Sequence, residues 1–405
     1  MHIAYVTTGY PWVSHTFIQN EVLGLRALGV EVDTYTIARS PLSECRTDAD
    51  REAYRTTYAL RPPRLGHYVR AHLMGALTRS SAYAGALRRA LRMAGSAPQD
   101  IVRHLAYFVQ AVVLWDRCRR AGVAHIHAHF ANVSSDVAML ASMLGGEAFT
   151  WSYTMHGPTE FYDLRHHRLA EKATDAEFVI CISDFARSQV MAITSPEDWA
   201  KLHVVHCGVD VDRFAPGEQP RASGPVTIAC VGRLVPEKGQ SLLIEAVGAL
   251  RDDGLDVRLV LVGDGPQRAG LESLVEASGL RDRVEFRGAV AHTEIERILR
   301  DADIFCLPSF AEGVPIVLME AMAMELPVVA CQVMGIPELI SDDVTGRLVR
   351  PGSRDDLVAA LSALAANPER RAALGGAARE RVAAEFELGT NVSQLRDVYA
   401  EYLSR

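Results

Sequence analysis

"FCLPSFAEGVPIVLMEAMA" (residues 305–323) changes character twice within a few positions. An uncharged apolar run ends at Pro308, a short loop carries Glu312 and Gly313, and apolar residues follow at helical spacing from Pro315. Strand, break and helix in that order form the unit of a parallel α/β sheet. Proline suits a first helical turn, because it has no N–H to lose and its φ is already set. A helix start also exposes unpaired N–H groups and the positive end of the dipole, so the break makes an anion site. Glu312 stands in the loop beside that site and Glu320 lies on the helix, two carboxylates placed to bind hydroxyl groups.

Working outward, the same alternation surrounds this stretch. Strands are expected at "VTIACVG" (226–232), "VRLVLVG" (257–263), "VEF" (284–286), "DIFCLP" (303–308) and "PVVAC" (327–331), with helices between them. The first half repeats the scheme at "HIAYVTT" (2–8), "VEVDTYTI" (30–37), "AHIHAHF" (124–130), "AFTWSYTMH" (148–156), "FVICIS" (178–183) and "KLHVVHCGVD" (201–210). Residues 50–121 are Ala/Arg-rich at helical spacing, so this span is expected to be helical. "RFAPGEQPRASGP" (213–225) is rich in Pro, Gly and charge and is expected to be a linker. The expected fold class is therefore α/β: two Rossmann-like, doubly wound parallel-sheet domains, 1–212 and 226–388, facing across a cleft at their strands' carboxyl ends. A final helix, 389–405, is expected to pack back on the first domain.

Composition narrows the classes. A chain of 405 residues, 49% of them hydrophobic, can bury two sizeable cores. Its seven cysteines are scattered without a CxxC pair, which points to a reducing compartment and no structural zinc. "MHIAYVTTGY" lacks the basic start of a signal peptide, and no run of about 18 uncharged apolar residues is present, so a cytoplasmic protein is expected. The net charge of −8 is uneven: residues 1–208 carry +2 and the remainder −10. Within 61–120 there are 11 arginines and only Asp100 and Asp116 as acids, a segment able to face phosphates or the inner face of a cell membrane. An acidic total without an aromatic–basic face argues against nucleic acid.

A second motif carries cations. In "CVGRLVPEKGQSLLIEA" (230–246), Arg233 and Lys238 follow the first strand of the second domain, between Gly232 and Gly239. Two fixed cations at a strand's carboxyl end suit a diphosphate. Gly263 in "LVGDGP" (261–266) opens a tight Gly-x-Gly turn from strand to helix.

Taken together, "GRLVPEKG", "LVGDGP", "ADIFCLPS", the Glu312–Glu320 pair in "EGVPIVLMEAMAMELPVVA" and "GIPELI...TGRLV" (335–349) resemble the retaining glycosyltransferases of family 4, which have the GT-B fold. "SHTFIQNEV" (14–22), "HIHAHFA" (125–131) and "HCGVDVDRF" (206–214) look most like the exopolysaccharide, colanic-acid type of that family. The resemblance covers nearly the whole chain except roughly 45–120.

The resemblance implies a nucleotide-sugar donor held by the second domain, with UDP favoured. Arg233 and Lys238 would neutralise the donor diphosphate, and Glu312 would hold donor-sugar hydroxyls. Backbone N–H groups across Gly313, Val314, Pro315, Ile316 and Val317 would lie near sugar and phosphate, and Glu320 would bind the ribose. In the first domain, His156 of "YTMHGPTEF" would meet the reacting sugar and Gly9 the donor phosphates. No cofactor or metal is implied, because cationic side chains replace the ion. The acceptor implied is a saccharide, carried on a lipid diphosphate at the membrane face, in exopolysaccharide or glycoconjugate synthesis. The same chemistry on a small soluble acceptor such as an aminocyclitol is the alternative.

Other readings compete. A GT-B epimerase would release the nucleotide without an acceptor, and a non-catalytic binder would not need both glutamates and both cations. A phosphorylase needs a lysine for its cofactor, and only Lys172, Lys201 and Lys238 exist. The sequence also departs from the family pattern: "TGYPWVSHTF" (8–17) has one glycine and bulky neighbours, so Ser14, His15 and Thr16 are assigned to acceptor recognition instead. His125, His127 and His129 share one strand face, and with no nearby acid or cysteine set they read as a packed, hydrogen-bonded group. The Asp-x-Asp pairs at 48–50 and 301–303 read as ordinary acids rather than metal ligands.

Overall fold

The computed structural model describes residues 1–12, 15–62, 65–147, 149–217 and 224–403. It divides into two compact units, Met1–Val205 with Val392–Arg405, and His206–Asn391.

The first unit is built on a seven-stranded sheet in the order β3-β2-β1-β4-β5-β6-β7. Its strands are β1 (His2–Tyr10), β2 (Glu31–Arg39), β3 (Tyr58–Arg61), β4 (His125–His129), β5 (Thr150–Met155), β6 (Val179–Cys181) and β7 (Leu202–Val204). Every pairing is parallel. Strands buried on both faces read as near-continuous apolar runs, as β1 does with Ile3, Ala4, Tyr5 and Val6 all buried. The helices Pro98–Ala121 and Val133–Gly145 supply much of the core, with Phe108, Trp115, Met139 and Leu140 buried.

In this unit one element departs from expectation. The span 50–121 is not helical throughout, because Tyr58–Arg61 pairs with β2 as the edge strand β3. Four residues are too few to display an alternation, and only the β2 ladder identifies them as a strand.

The second unit carries a six-stranded parallel sheet in the order β10-β9-β8-β11-β12-β13. These strands are β8 (Val226–Val231), β9 (Val257–Val262), β10 (Val284–Gly288), β11 (Ile304–Leu307), β12 (Val328–Cys331) and β13 (Arg347–Val349). The order reverses between β8 and β11, and in such sheets ligands bind beyond the carboxyl ends of the strands at that switch point. Arg233 and Lys238 follow β8, and Glu312 follows β11.

The chain enters the second unit at His206, earlier than the linker expected at 213–225, of which residues 218–223 lie outside the described residues. The cause is local. Val209 N–H donates to Phe386 O at 2.9 Å, Leu388 N–H donates to Val209 O at 3.0 Å, and Phe214 is buried in this unit's core. The helix Leu388–Leu403 starts in the second unit and joins the first from Val392. Within the first unit its Tyr399 is fully buried, 3.0 Å from the Tyr5 hydroxyl and against Phe178.

Candidate functional site

In the second unit, the loops after β8, β9 and β11 are bonded to one another through backbone. Gly232 N–H donates to Val262 O (2.9 Å) and Leu234 N–H to Asp264 O (3.0 Å), joining the Arg233 loop to "GDG". Phe310 N–H donates to Glu237 O at 2.7 Å, joining the Lys238 loop to the one that carries Glu312. Two glycines make this fit possible. A Cβ on Gly263, at φ +133°, would lie 1.9 Å from Gly232 O, and one on Gly239, at φ +66°, 2.2 Å from Pro308 O.

These loops bring Lys238 Nζ to 2.5 Å from Glu312 Oε1. Glu312 is nearly buried, Lys238 is partly covered and Arg233 is exposed, so one cation is paired to an acid while the other faces solvent. A buried carboxylate is stable only when paired and hydrogen-bonded, and Lys238 supplies that pairing. Two buried polar atoms at the same place, Ser309 Oγ and Gln240 Oε1, have no hydrogen-bond partner, although Gln240 Nε2 donates to Arg233 O at 2.8 Å. The helix Ile316–Ala323 follows Glu312, with Pro315 as its N-cap residue rather than in its first turn. Its first N–H groups, Ile316 and Val317, have no partner within the helix by geometry. A Cβ on Gly335 would lie 2.4 Å from Gly313 O, so the Gly313–Val314 backbone is backed by the next loop.

Glu320 is buried one turn into that helix and accepts from His292 Nε2 at 2.6 Å. His292, whose ring packs 5.5 Å from that of Phe214, is a site residue that sequence reasoning missed. It starts the helix His292–Arg300, and "AHTE" reads from sequence as an ordinary helix entry. One oxygen of Glu320, Oε1, is thus engaged by His292.

The first unit holds a ladder of imidazoles and hydroxyls set by strand register. His125, His127 and His129 of β4 stand opposite Thr150, Ser152 and Thr154 of β5. His125 Nδ1 and Nε2 lie 2.7 Å from Thr150 Oγ1 and from Ser152 Oγ. His127 Nδ1 and Nε2 lie 2.7 Å from Ser152 Oγ and 2.8 Å from Thr154 Oγ1. The next place in this period-two series is His156, whose Nε2 lies 2.9 Å from His129 Nδ1. His156 also packs between Phe17 and Phe130, at ring distances of 4.7 and 4.6 Å.

The loop that presents His156 is pinned by a buried acid. Glu160 accepts from His156 N (3.1 Å), from Gly157 N (3.2 Å) and from Ala131 N. Lys172, fully buried, donates to Ala131 O at 2.8 Å and pairs with Asp136 at 3.0 Å. The loops after β4 and β5 therefore share one fixed polar cluster. Burial pushes the Glu160 carboxyl up to about 7 and holds the Lys172 ammonium below its usual range.

An acid does stand near the histidines, contrary to the sequence expectation. Glu21 of the helix Thr16–Ala27 lies 3.6 Å from His129 Nε2, and ligand atoms of Glu21, His127 and His129 fall within 4.8 Å of one another. The donors do not favour a cation here. Both nitrogens of His127 are engaged by hydroxyls, and Glu21 accepts from Tyr5 Oη at 2.5 Å. Burial pushes Glu21 up to about 7 and His129 down to about 3, so at mildly acidic pH both are neutral and no ion pair forms.

The remaining assigned positions fall as follows. Gly9 lies near the end of β1, and a Cβ there would sit 2.0 Å from Trp12 Nε1, so the indole packs directly against this glycine. His15 packs its ring 5.2 Å from Phe130, and Thr16 begins the helix Thr16–Ala27. Ser14 lies outside the described residues. Asp50 closes a capping box with Thr47, and Asp303 accepts from Thr227 N at 2.8 Å, so both Asp-x-Asp pairs are engaged locally.

Comparison with known proteins follows the same division. Residues 212–381 match the model of Glycosyl transferases group 1, and residues 14–213 match that of Glycosyltransferase Family 4. The chain is 35% identical over 217 residues to a putative colanic acid biosynthesis glycosyltransferase of Escherichia coli, covering 52% of this chain and 53% of that protein. Against that relative, the chain thus spans about half its length. It is 31% identical over 317 residues to a D-inositol 3-phosphate glycosyltransferase of Saccharomonospora viridis, covering 74% of this chain and 70% of the relative. It is 27% identical over 414 residues to an amylovoran biosynthesis glycosyltransferase of Erwinia amylovora, covering 98% and 99%. Among solved structures, sucrose-phosphate synthase of Thermosynechococcus elongatus superposes with a TM-score of 0.76 at 21% identity, over 100% of this chain and 99% of that one. Anabaena HepE, solved with UDP, gives 0.73 at 18%, over 99% and 100%.

Proposed function

The chain belongs to the group 1, family 4 glycosyltransferases, and on that premise we propose that it moves a hexose from a nucleotide sugar to a saccharide acceptor with retention of configuration. The observation that carries this reading is the cluster at the β8/β11 switch point: Arg233, Lys238 paired to Glu312 at 2.5 Å, and the helix start after Pro315. Arg233 and Lys238 take the donor diphosphate, and Glu312 divides between Lys238 and the sugar hydroxyls. Glu320 takes a ribose hydroxyl. His156 meets the reacting sugar.

In the step itself the bond from the sugar C1 to the phosphate oxygen breaks, and C1 bonds to the acceptor oxygen on the same face. The acceptor's proton passes to the departing phosphate oxygen. Negative charge grows on the diphosphate, and fixed cations aimed there lower the barrier without a metal ion. UDP is the nucleotide the family resemblance favours, and GDP, used by GDP-mannose-dependent mannosyltransferases 34% identical over 236 residues, is the competing one. The acceptor is a lipid-diphosphate-linked saccharide in exopolysaccharide synthesis, in keeping with the colanic acid and amylovoran relatives.

Thermal-shift titration with UDP- and GDP-sugars tests the donor assignment. One nucleotide class should raise the midpoint, and Arg233→Ala should remove most of the rise. Equal shifts with both proteins would refute the role given to Arg233.

A further inference from the structure

The helix Leu65–Thr78 turns an apolar face outward. Leu65, Val69, Leu73 and Leu77 are exposed to 77%, 51%, 58% and 80%, and Met74 stands beside them at 36%. Positions four apart advance by about 40° around a helix, so these four form one stripe roughly 18 Å long. The opposite side of the helix is anchored. Tyr68, Ala71 and Gly75 are buried, and His72 Nδ1 lies 2.9 Å from Tyr83 Oη. The stripe is therefore the outer face of a firmly seated helix. Scattered surface leucines need no explanation, but a contiguous row marks a contact surface.

Charge indicates what would cover it. From residue 53 to residue 99 the chain has eight arginines and no aspartate or glutamate. Arg61 and Arg79, at the two ends of the helix, are exposed, and Arg70 between them pairs with Asp116 at 2.7 Å. An apolar stripe on a stretch of chain that carries cations and no acids matches a bilayer with anionic headgroups: leucines enter the acyl boundary while guanidinium groups meet phosphates. A protein partner of ordinary mixed charge gives no reason for this exclusion of acids. Among the described residues, no helix is long and apolar enough to cross a membrane, so the helix would lie along the surface.

We propose that the outer face of the helix Leu65–Thr78 docks on an anionic lipid surface by inserting Leu65, Val69, Leu73 and Leu77. The proposal extends the lipid-linked acceptor reading by naming the surface that would meet the membrane, but binding to lipid requires neither donor nor turnover.

Co-sedimentation of the full chain with phosphatidylglycerol/phosphatidylcholine vesicles, without nucleotide sugar, tests it. The protein should pellet with anionic vesicles and much less with pure phosphatidylcholine, each arginine near the surface contributing roughly fivefold. The triple variant Leu65→Gln/Leu73→Gln/Leu77→Gln should pellet at least about tenfold less while keeping its nucleotide-induced thermal shift. In a Leu73→Trp variant, brominated lipid should quench the fluorescence that the added indole contributes over the wild type. Failure of the wild type to pellet, equal pelleting of the triple variant, or an added indole that brominated lipid leaves unquenched would overturn the proposal. Concentration-dependent dimers lost in the triple variant would assign the face to a second copy instead. A chain that pelleted as expected but showed no nucleotide shift would leave the membrane face standing and remove the transferase reading.

Discussion

His125, His127, His129 and His156 are buried imidazoles whose burial holds them below the usual histidine range, His125 and His129 at about 3. In an unfolded chain each takes a proton near pH 6.5, so as pH falls below that value the unfolded state gains protons that the fold refuses. Glu21 and Glu160 act with the opposite sign. Each is raised to about 7, so the fold keeps a proton that the unfolded chain loses above its ordinary value of 4.5. Their stabilisation is present in acid and fades as pH rises through 7. The buried histidines outnumber these glutamates, so stability falls from pH 6.5 towards 4.5. Calorimetry should show the unfolding midpoint dropping across that interval, and His125→Gln should reduce the slope. A midpoint flat from pH 7 to 5 would contradict the neutral ladder. The ladder was in part legible, since "HIHAH" and "TWSYTMH" share one period-two pattern. Glu21 and His292 were not, because each reaches its partner only through tertiary packing from a distant helix.

At the scale of elements, the loops after β8, β9 and β11 were legible by residue type but not by attachment. Gly239 illustrates the difference. In sequence it is a helix-entry glycine; in the structure its missing Cβ makes room for Pro308 O. Gly254 offers a control, at φ +81° with open space around it. Alanine at either position bears the left-handed backbone strain, roughly 1–3 kcal/mol. Only Gly239→Ala also pushes the Lys238 loop off the Glu312 loop. Titration should find nucleotide-sugar affinity lowered about tenfold or more in Gly239→Ala and nearly unchanged in Gly254→Ala, a tenfold loss being about 1.4 kcal/mol. Equal affinity in the two variants would show that the loop junction does not set the site. The short strands β3 and β13 escaped notice for a related reason. Each lies at a sheet edge and is three or four residues long, and its pairing with a neighbour defines it.

Across the whole molecule, two parallel sheets with a reversal of strand order in each were legible, because buried parallel strands leave long apolar runs that solvent-facing strands cannot. The division of the chain was less so. Val209 and Phe214 belong to the second unit through contacts with residues near Phe386, far along the chain, whereas the Pro/Gly-rich stretch beyond them looked like the natural boundary. The central claim is that the second unit grips an activated sugar through Arg233 and Lys238 without an ion. Initial rates of labelled-hexose transfer, measured with excess EDTA for the wild type and Lys238→Ala, test it most directly. Wild-type transfer should be unchanged by EDTA, and the variant should be slower by roughly 100- to 1000-fold. Transfer that stopped on chelation and returned with a divalent cation, or a variant as fast as the wild type, would contradict the account.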